Sequence, residues 1–148
     1  MTTTEALHER LLGAWRLVSY VAVDEAGERD YPLGEDAEGL IVYTPQGWMS
    51  AQLVRRDRPP FAEGRLESGS DAELAEAGRG FISYAGKFRV IDEHTLSHDV
   101  SISLFPNWMG GSQIRIARLD GERLELSLPA PTELWGRRRE AVLTWARL

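Results

Sequence analysis

Eight segments of this chain have the composition and alternation of β-strands, and short turns join most of them. They cover 14–23, 40–44, 48–54, 81–91, 95–105, 112–119, 123–129 and 140–148. "TLSHDVSISLF", 95–105, is the clearest. His98, Val100, Ile102 and Leu104 form one set, while Asp99, Ser101 and Ser103 form the other. A strand with one buried face is the natural reading, and its apolar face begins with an imidazole. No helices alternate with the strands, so an antiparallel meander is expected rather than a parallel sheet. Eight antiparallel strands can close on themselves, which removes exposed edges. At that size the interior is just wide enough for side chains or one small ligand.

The punctuation agrees. Pro45-Gln46-Gly47 marks a tight hairpin, and Asp120-Gly121 joins two further strands. Residues 5–12 read as a short helix with Leu7, Leu11 and Leu12 on one side and Gly13 as its cap. Ser70 and Glu73 have capping-box spacing, which predicts a second short helix over 71–77 that stops at Gly78. It lies in a long connection, 55–80, of the kind that forms lids or binding loops. With 148 residues, one domain over 1–148 is expected.

Bulk composition bounds the function. Hydrophobic residues make up 43% and charged residues 27%, as in ordinary globular proteins. A net charge of -6 argues against a nucleic-acid partner. The absence of cysteine excludes disulfides and thiolate chemistry. "MTTTEALHERLLG" lacks the basic start and apolar core of a signal peptide, and no segment approaches the ~18 apolar residues of a membrane span. A cytoplasmic protein with no membrane partner is the expectation. Oligomeric state is not readable.

Alternation also predicts what faces inward. Ile82, Tyr84, Gly86, Phe88 and Val90 share a face, as do Leu96, His98, Val100, Ile102 and Leu104. Leu124, Leu126 and Leu128 follow, then Leu143 and Trp145, and on 48–54 Met49, Ala51 and Leu53 are favoured. For 112–119 either Ile114 and Ile116 face in, or Gln113, Arg115 and Ala117 do. The second choice is preferred and would place a polar anchor near His98.

Gly13-Ala14-Trp15 resembles the G-x-W that opens lipocalin barrels, and Trp145 and Arg147 resemble their closing strand with its arginine. "YPLGED", "IVYTPQGWMSAQL", "RDRPPF", "SLFPNW" and "LTWAR", in that order, resemble the bacterial and fungal lipocalin-like domain family. The resemblance spans nearly the whole chain. It implies an eight-stranded antiparallel lipocalin-like barrel with a short N-terminal helix plugging one end. Some relatives accompany natural-product biosynthesis, and other small barrels in that setting catalyse cyclisations. The chain departs from secreted lipocalins in having no export signal, no disulfide and no second motif of the T-D-Y kind.

A barrel of this size suits a small hydrophobic molecule. The candidate ligand-binding residues are Tyr43, Met49, Tyr84, Phe88, His98, Ile102, Trp108, Gln113 and Arg115. Trp108 sits in a Pro-Gly-Gly turn and could either cap the mouth or pack on a helix, whereas Trp15 and Trp145 read as barrel-closing core. The alternative is a cofactor-independent cyclase, isomerase or dehydratase, with His98 moving a proton, helped by Tyr84 or Arg115. Against it stands a core histidine hydrogen-bonded to Tyr84 or another partner. A filled barrel serving as an interaction module is a third reading. No metal site is expected: His94 and His98 would lie roughly 13 Å apart on a strand. No nucleotide loop or nucleophile motif appears, so no cofactor is expected. Arg55, Arg56 and Arg58, and Arg137, Arg138 and Arg139, could steer an anion but read first as solvated faces.

Overall fold

A computed structural model describes residues 1–148. In order, the elements are α1 (Thr3–Leu11), β1 (Gly13–Asp24), β2 (Arg29–Asp30), β3 (Glu38–Tyr43), β4 (Trp48–Val54), α2 (Asp71–Arg79), β5 (Phe81–Val90), β6 (Thr95–Ser103), a 3-10 turn (Pro106–Trp108), β7 (Ser112–Asp120), β8 (Arg123–Ser127), β9 (Thr132–Leu134) and β10 (Arg137–Arg147). All ten strands lie in one sheet, and β1 also pairs with β10. Eight of them therefore form a closed antiparallel ring: β1, β3, β4, β5, β6, β7, β8 and β10. The short β2 and β9 only extend β1 and β10 at their ends. Neither was apparent from alternation, because two or three residues are too few to show a period.

Both expected helices form, each opened by a capping box but with ends other than those expected. At α1 the Thr2 hydroxyl accepts from the Glu5 N–H at 3.1 Å, and the Glu5 carboxylate accepts the Thr2 N–H at 2.6 Å. Leu12, not Gly13, is its cap; Gly13 opens β1 at φ +114°, a conformation glycine tolerates. The Ser70–Glu73 box opens α2, which runs through Gly78 to a cap at Gly80.

The end of the barrel at α1 is filled. Leu7 and Leu11 are buried in the core with Trp15, Tyr43, Met49, Phe88 and Leu96. His8 stacks on Phe88 with ring centroids 5.1 Å apart. Trp15 Nε1–H donates to the Leu11 carbonyl at 2.9 Å. The Arg147 guanidinium lies 4.0 Å from the centroid of the Trp15 ring and donates to the Leu12 and Arg10 carbonyls at 2.8 and 2.7 Å. The last strand thus satisfies carbonyls that α1 leaves free.

One feature of β6 overturns an expectation. The β5–β6 register slips between Ala85 and Gly86, and Ser101 is the extra residue of a bulge. Leu96, His98 and Val100 face inward as expected, but Ile102 pairs with Ala85 and is 68% exposed. Leu104 is exposed as well. A single inserted residue reverses the facing of everything after it. Ile102 therefore does not line the lumen. Gly86 permits the bulge: a Cβ there would collide with the Asp99 carbonyl oxygen. We predict that Gly86→Ala lowers unfolding free energy by about 1–3 kcal/mol, as overpacking does, measured by chemical denaturation. Unchanged stability would mean that the two strands do not approach so closely.

Candidate functional site

Beyond the filled end the lumen opens into a cavity of about 60 Å³. It is lined by Tyr20 and Trp145 with Ile41, Ala51, Leu53, Ile82, Tyr84, Trp108, Leu126 and Leu143, and Arg115 is the one non-hydrophobic member. Each lining strand contributes through its inward alternation. Strand β1 reaches the cavity by an irregularity between Leu17 and Ser19, which sets Tyr20 rather than Ser19 inside. On β7 the preferred facing holds: Arg115 pairs with Leu96, Gln113 with His98, and Ala117 is buried.

His98 is wholly buried, between two tyrosines. Its Nε2 lies 2.7 Å from the Tyr43 hydroxyl and its Nδ1 2.9 Å from the Tyr84 hydroxyl. In a neutral imidazole one nitrogen donates and the other accepts, so one phenol receives a hydrogen bond and the other gives one. Burial, reinforced by the Arg115 charge, pushes the His98 pKa down to about 3. Burial likewise raises Tyr43 and Tyr84 above the usual phenol range and pushes Tyr20 up to about 12. His98 faces inward as expected but does not line the cavity, because both of its nitrogens are held in the core. Tyr43, Met49 and Phe88 are also inward, buried in the filled core rather than around the hollow. Gln113 touches the site indirectly, accepting from Arg115 at 3.1 Å. Of the nine candidates, Tyr84, Trp108 and Arg115 line the cavity.

Two donors on residues of this wall stand out. Arg115 gives one hydrogen bond to the Ile114 carbonyl at 2.8 Å and one to Gln113, both neutral acceptors. By contrast, the other arginine clusters are partly neutralised: Arg55 meets Asp57, Arg56 meets Glu38, and Arg137 meets Asp24 and Glu28, while Arg139, buried rather than on the expected solvated face, meets Asp30. The second donor is Trp145 Nε1–H, buried with no hydrogen-bond partner. Its sequence position marks it as barrel core, and nothing in the alternation distinguishes a filled position from a cavity wall.

Trp108 and Ile82 line both this cavity and an outer groove. The groove, of about 300 Å³, is lined by Gly78, Phe81, Ile82, Ser83, Leu104, Phe105 and Trp108. Trp108 packs edge-on against Tyr84 at 5.6 Å and Phe105 at 5.5 Å. Its turn is followed by Gly110 at φ +84°. The long connection 55–80 contributes Gly78 to the groove.

A lipocalin-like domain model matches residues 12–148. The chain belongs to the lipocalin-like domain family. A curated relative, the 4'-hydroxy-3'-methoxypropiophenone carrier protein ppsC of Aspergillus oryzae, is 36% identical over 107 residues, which cover 68% of this chain and 96% of the relative. Among solved structures, a redesigned β-barrel has a TM-score of 0.46 at 14% identity, covering 100% of this chain and 97% of its own. The fluorescent protein UnaG has a TM-score of 0.40 at 11% identity, covering 95% and 98%. The G-x-W tryptophan of this lipocalin-like barrel and its closing arginine meet as the resemblance implies. No helix is long and apolar enough to cross a membrane.

The buried imidazole sets a pH dependence. His98 has a folded pKa of about 3 against 6.5 for the free group. As pH falls the unfolded chain binds that proton first, so this contribution to stability is full above about pH 6.5 and declines toward about pH 3. We predict that His98→Gln shows a smaller loss of stability between about pH 6.5 and about pH 5 than the native chain, measured by denaturant titration. Equal losses would show that His98 is not held neutral.

Proposed function

We propose that this protein is a carrier: it binds a small, largely apolar molecule in the barrel lumen and releases it unchanged. The observation that carries the reading is the cavity wall, apolar at every position but Arg115 and sealed at the α1 end by packed core. Family membership and the carrier relative support binding as the function. By its name that relative carries a phenolic aryl ketone, and a planar aromatic of similar kind suits a wall of Tyr20, Tyr84, Trp108 and Trp145.

The alternative, a cofactor-independent cyclase, isomerase or dehydratase, needs a group that exchanges protons at the reacting atom. His98 lies outside the cavity wall with both nitrogens engaged, and the tyrosines are held protonated. Nothing at the wall favours proton transfer over simple holding.

Size fixes how loading must occur. A cavity of ~150 Å³ takes one benzene ring, so about 60 Å³ holds only a few waters. A larger ligand would use the space of the outer groove as well, past the Trp108 and Ile82 that line both. We assign Trp108, which is common to both spaces and precedes a glycine at positive φ, as the door.

Titration with 4'-hydroxypropiophenone, followed by tryptophan fluorescence and mass analysis of the released compound, tests this reading. Saturable binding at one molecule per chain and recovery of the intact compound are expected. Its conversion to a product, or the absence of saturable binding, would contradict the carrier reading. Trp108→Ala should raise the association rate constant several-fold in stopped flow, and an unchanged rate would mean that the door lies elsewhere.

A further inference from the structure

We infer that the ligand presents an anionic oxygen acceptor, a carboxylate or phenolate, to Trp145 Nε1–H and Arg115, with its apolar body toward Trp108. The inference rests on the carrier reading and specifies the chemistry of the molecule carried.

The two donors support it independently. Trp145 is 1% exposed, and its indole N–H lacks a partner. A buried donor left unpaired is destabilising, and such groups in native folds are uncommon enough to require an explanation. Trp15, on the neighbouring strand, shows the contrast: its N–H is satisfied by Leu11. Arg115 brings a full charge to an apolar wall, and no carboxylate of the chain neutralises it there. That charge favours the anionic form of Tyr20, Tyr43 and Tyr84, against the larger effect of burial, and disfavours the cationic form of His98, so the site as built is electropositive.

A ligand oxygen would answer both deficits together. It would give the indole its acceptor and the guanidinium its counter-charge. A guanidinium already held by Gln113 and the Ile114 carbonyl is pre-oriented, so little side-chain freedom is lost on binding. An anion bound by Arg also forms stronger hydrogen bonds than a neutral acceptor does. Gln113 is a positioning residue in this account, acting through Arg115. A purely hydrocarbon ligand would leave both donors as they are.

The test compares 2-naphthoate with 2-methylnaphthalene, which share an aromatic body and differ in the acceptor. Native protein should bind naphthoate at least tenfold more tightly. Arg115→Met should weaken naphthoate by about 10–100-fold and remove its advantage over methylnaphthalene, as expected for loss of a charged hydrogen bond. Trp145→Phe should weaken naphthoate by about 2–10-fold. A readout on the unmutated chain avoids any folding defect: naphthoate should shift the Trp145 indole N–H resonance downfield, and methylnaphthalene should not. Equal binding of both probes, or naphthoate binding insensitive to Arg115 and silent at the Trp145 N–H, overturns the inference and leaves the carrier reading standing. Failure of both probes to bind overturns both.

Discussion

Every property of this molecule depends on the pairing of its first strand with its last. β1 and β10 run antiparallel over almost their whole lengths, from Trp15 with Arg147 to Asp24 with Arg139. That pairing turns an open meander into a ring, gives the sheet an inside, and removes two edges that would otherwise be free to pair with other chains. The clasp at the α1 end reinforces it. Arg147 stacks on Trp15 and hydrogen-bonds the carbonyls that follow from α1, so helix, first strand and last strand lock at one point. Without closure, inward and outward faces would lose their meaning, and neither core nor cavity would exist.

Inside the ring, polar groups follow two regimes. Toward α1 they satisfy each other: Tyr43, His98 and Tyr84 form a chain of hydrogen bonds, and Trp15 is capped by Leu11. Such a fully paired network helps to fix a unique core. Toward the outer groove the pairing stops. Trp145 has no partner and Arg115 has only neutral ones. Tyr84 belongs to both regimes, with its hydroxyl on His98 and its ring against the cavity and Trp108. Departures from full satisfaction concentrate where a fold serves function rather than stability.

The architecture was legible from the sequence because period-two alternation and turn chemistry are local signals. The strand 48–54 appears with the same bounds, and both capping boxes form, though only that of Ser70 and Glu73 had been singled out. The choice of Gln113 and Arg115 as the inward set of β7 also holds. The site was less legible. Ile102 moved outside because one extra residue, Ser101, shifts the register, and such a bulge leaves the composition of the strand unchanged. Tyr43, Met49, Phe88 and His98 lie inside, but the plug of α1 makes their end of the barrel solid. Which inward residues surround a hollow depends on how neighbouring strands and the plug meet, and no single strand carries that information. Trp145 shows the limit clearly: the residue that looks most like closing core is both core and cavity wall.

A crystal structure of the protein with a bound aryl carboxylate tests the central claim most directly. The account predicts electron density inside the ring, against Tyr84, Arg115 and Trp145, with the Trp108 ring displaced from the cavity wall. Density only on the outer surface, with Trp108 unmoved and the lumen empty, would contradict it.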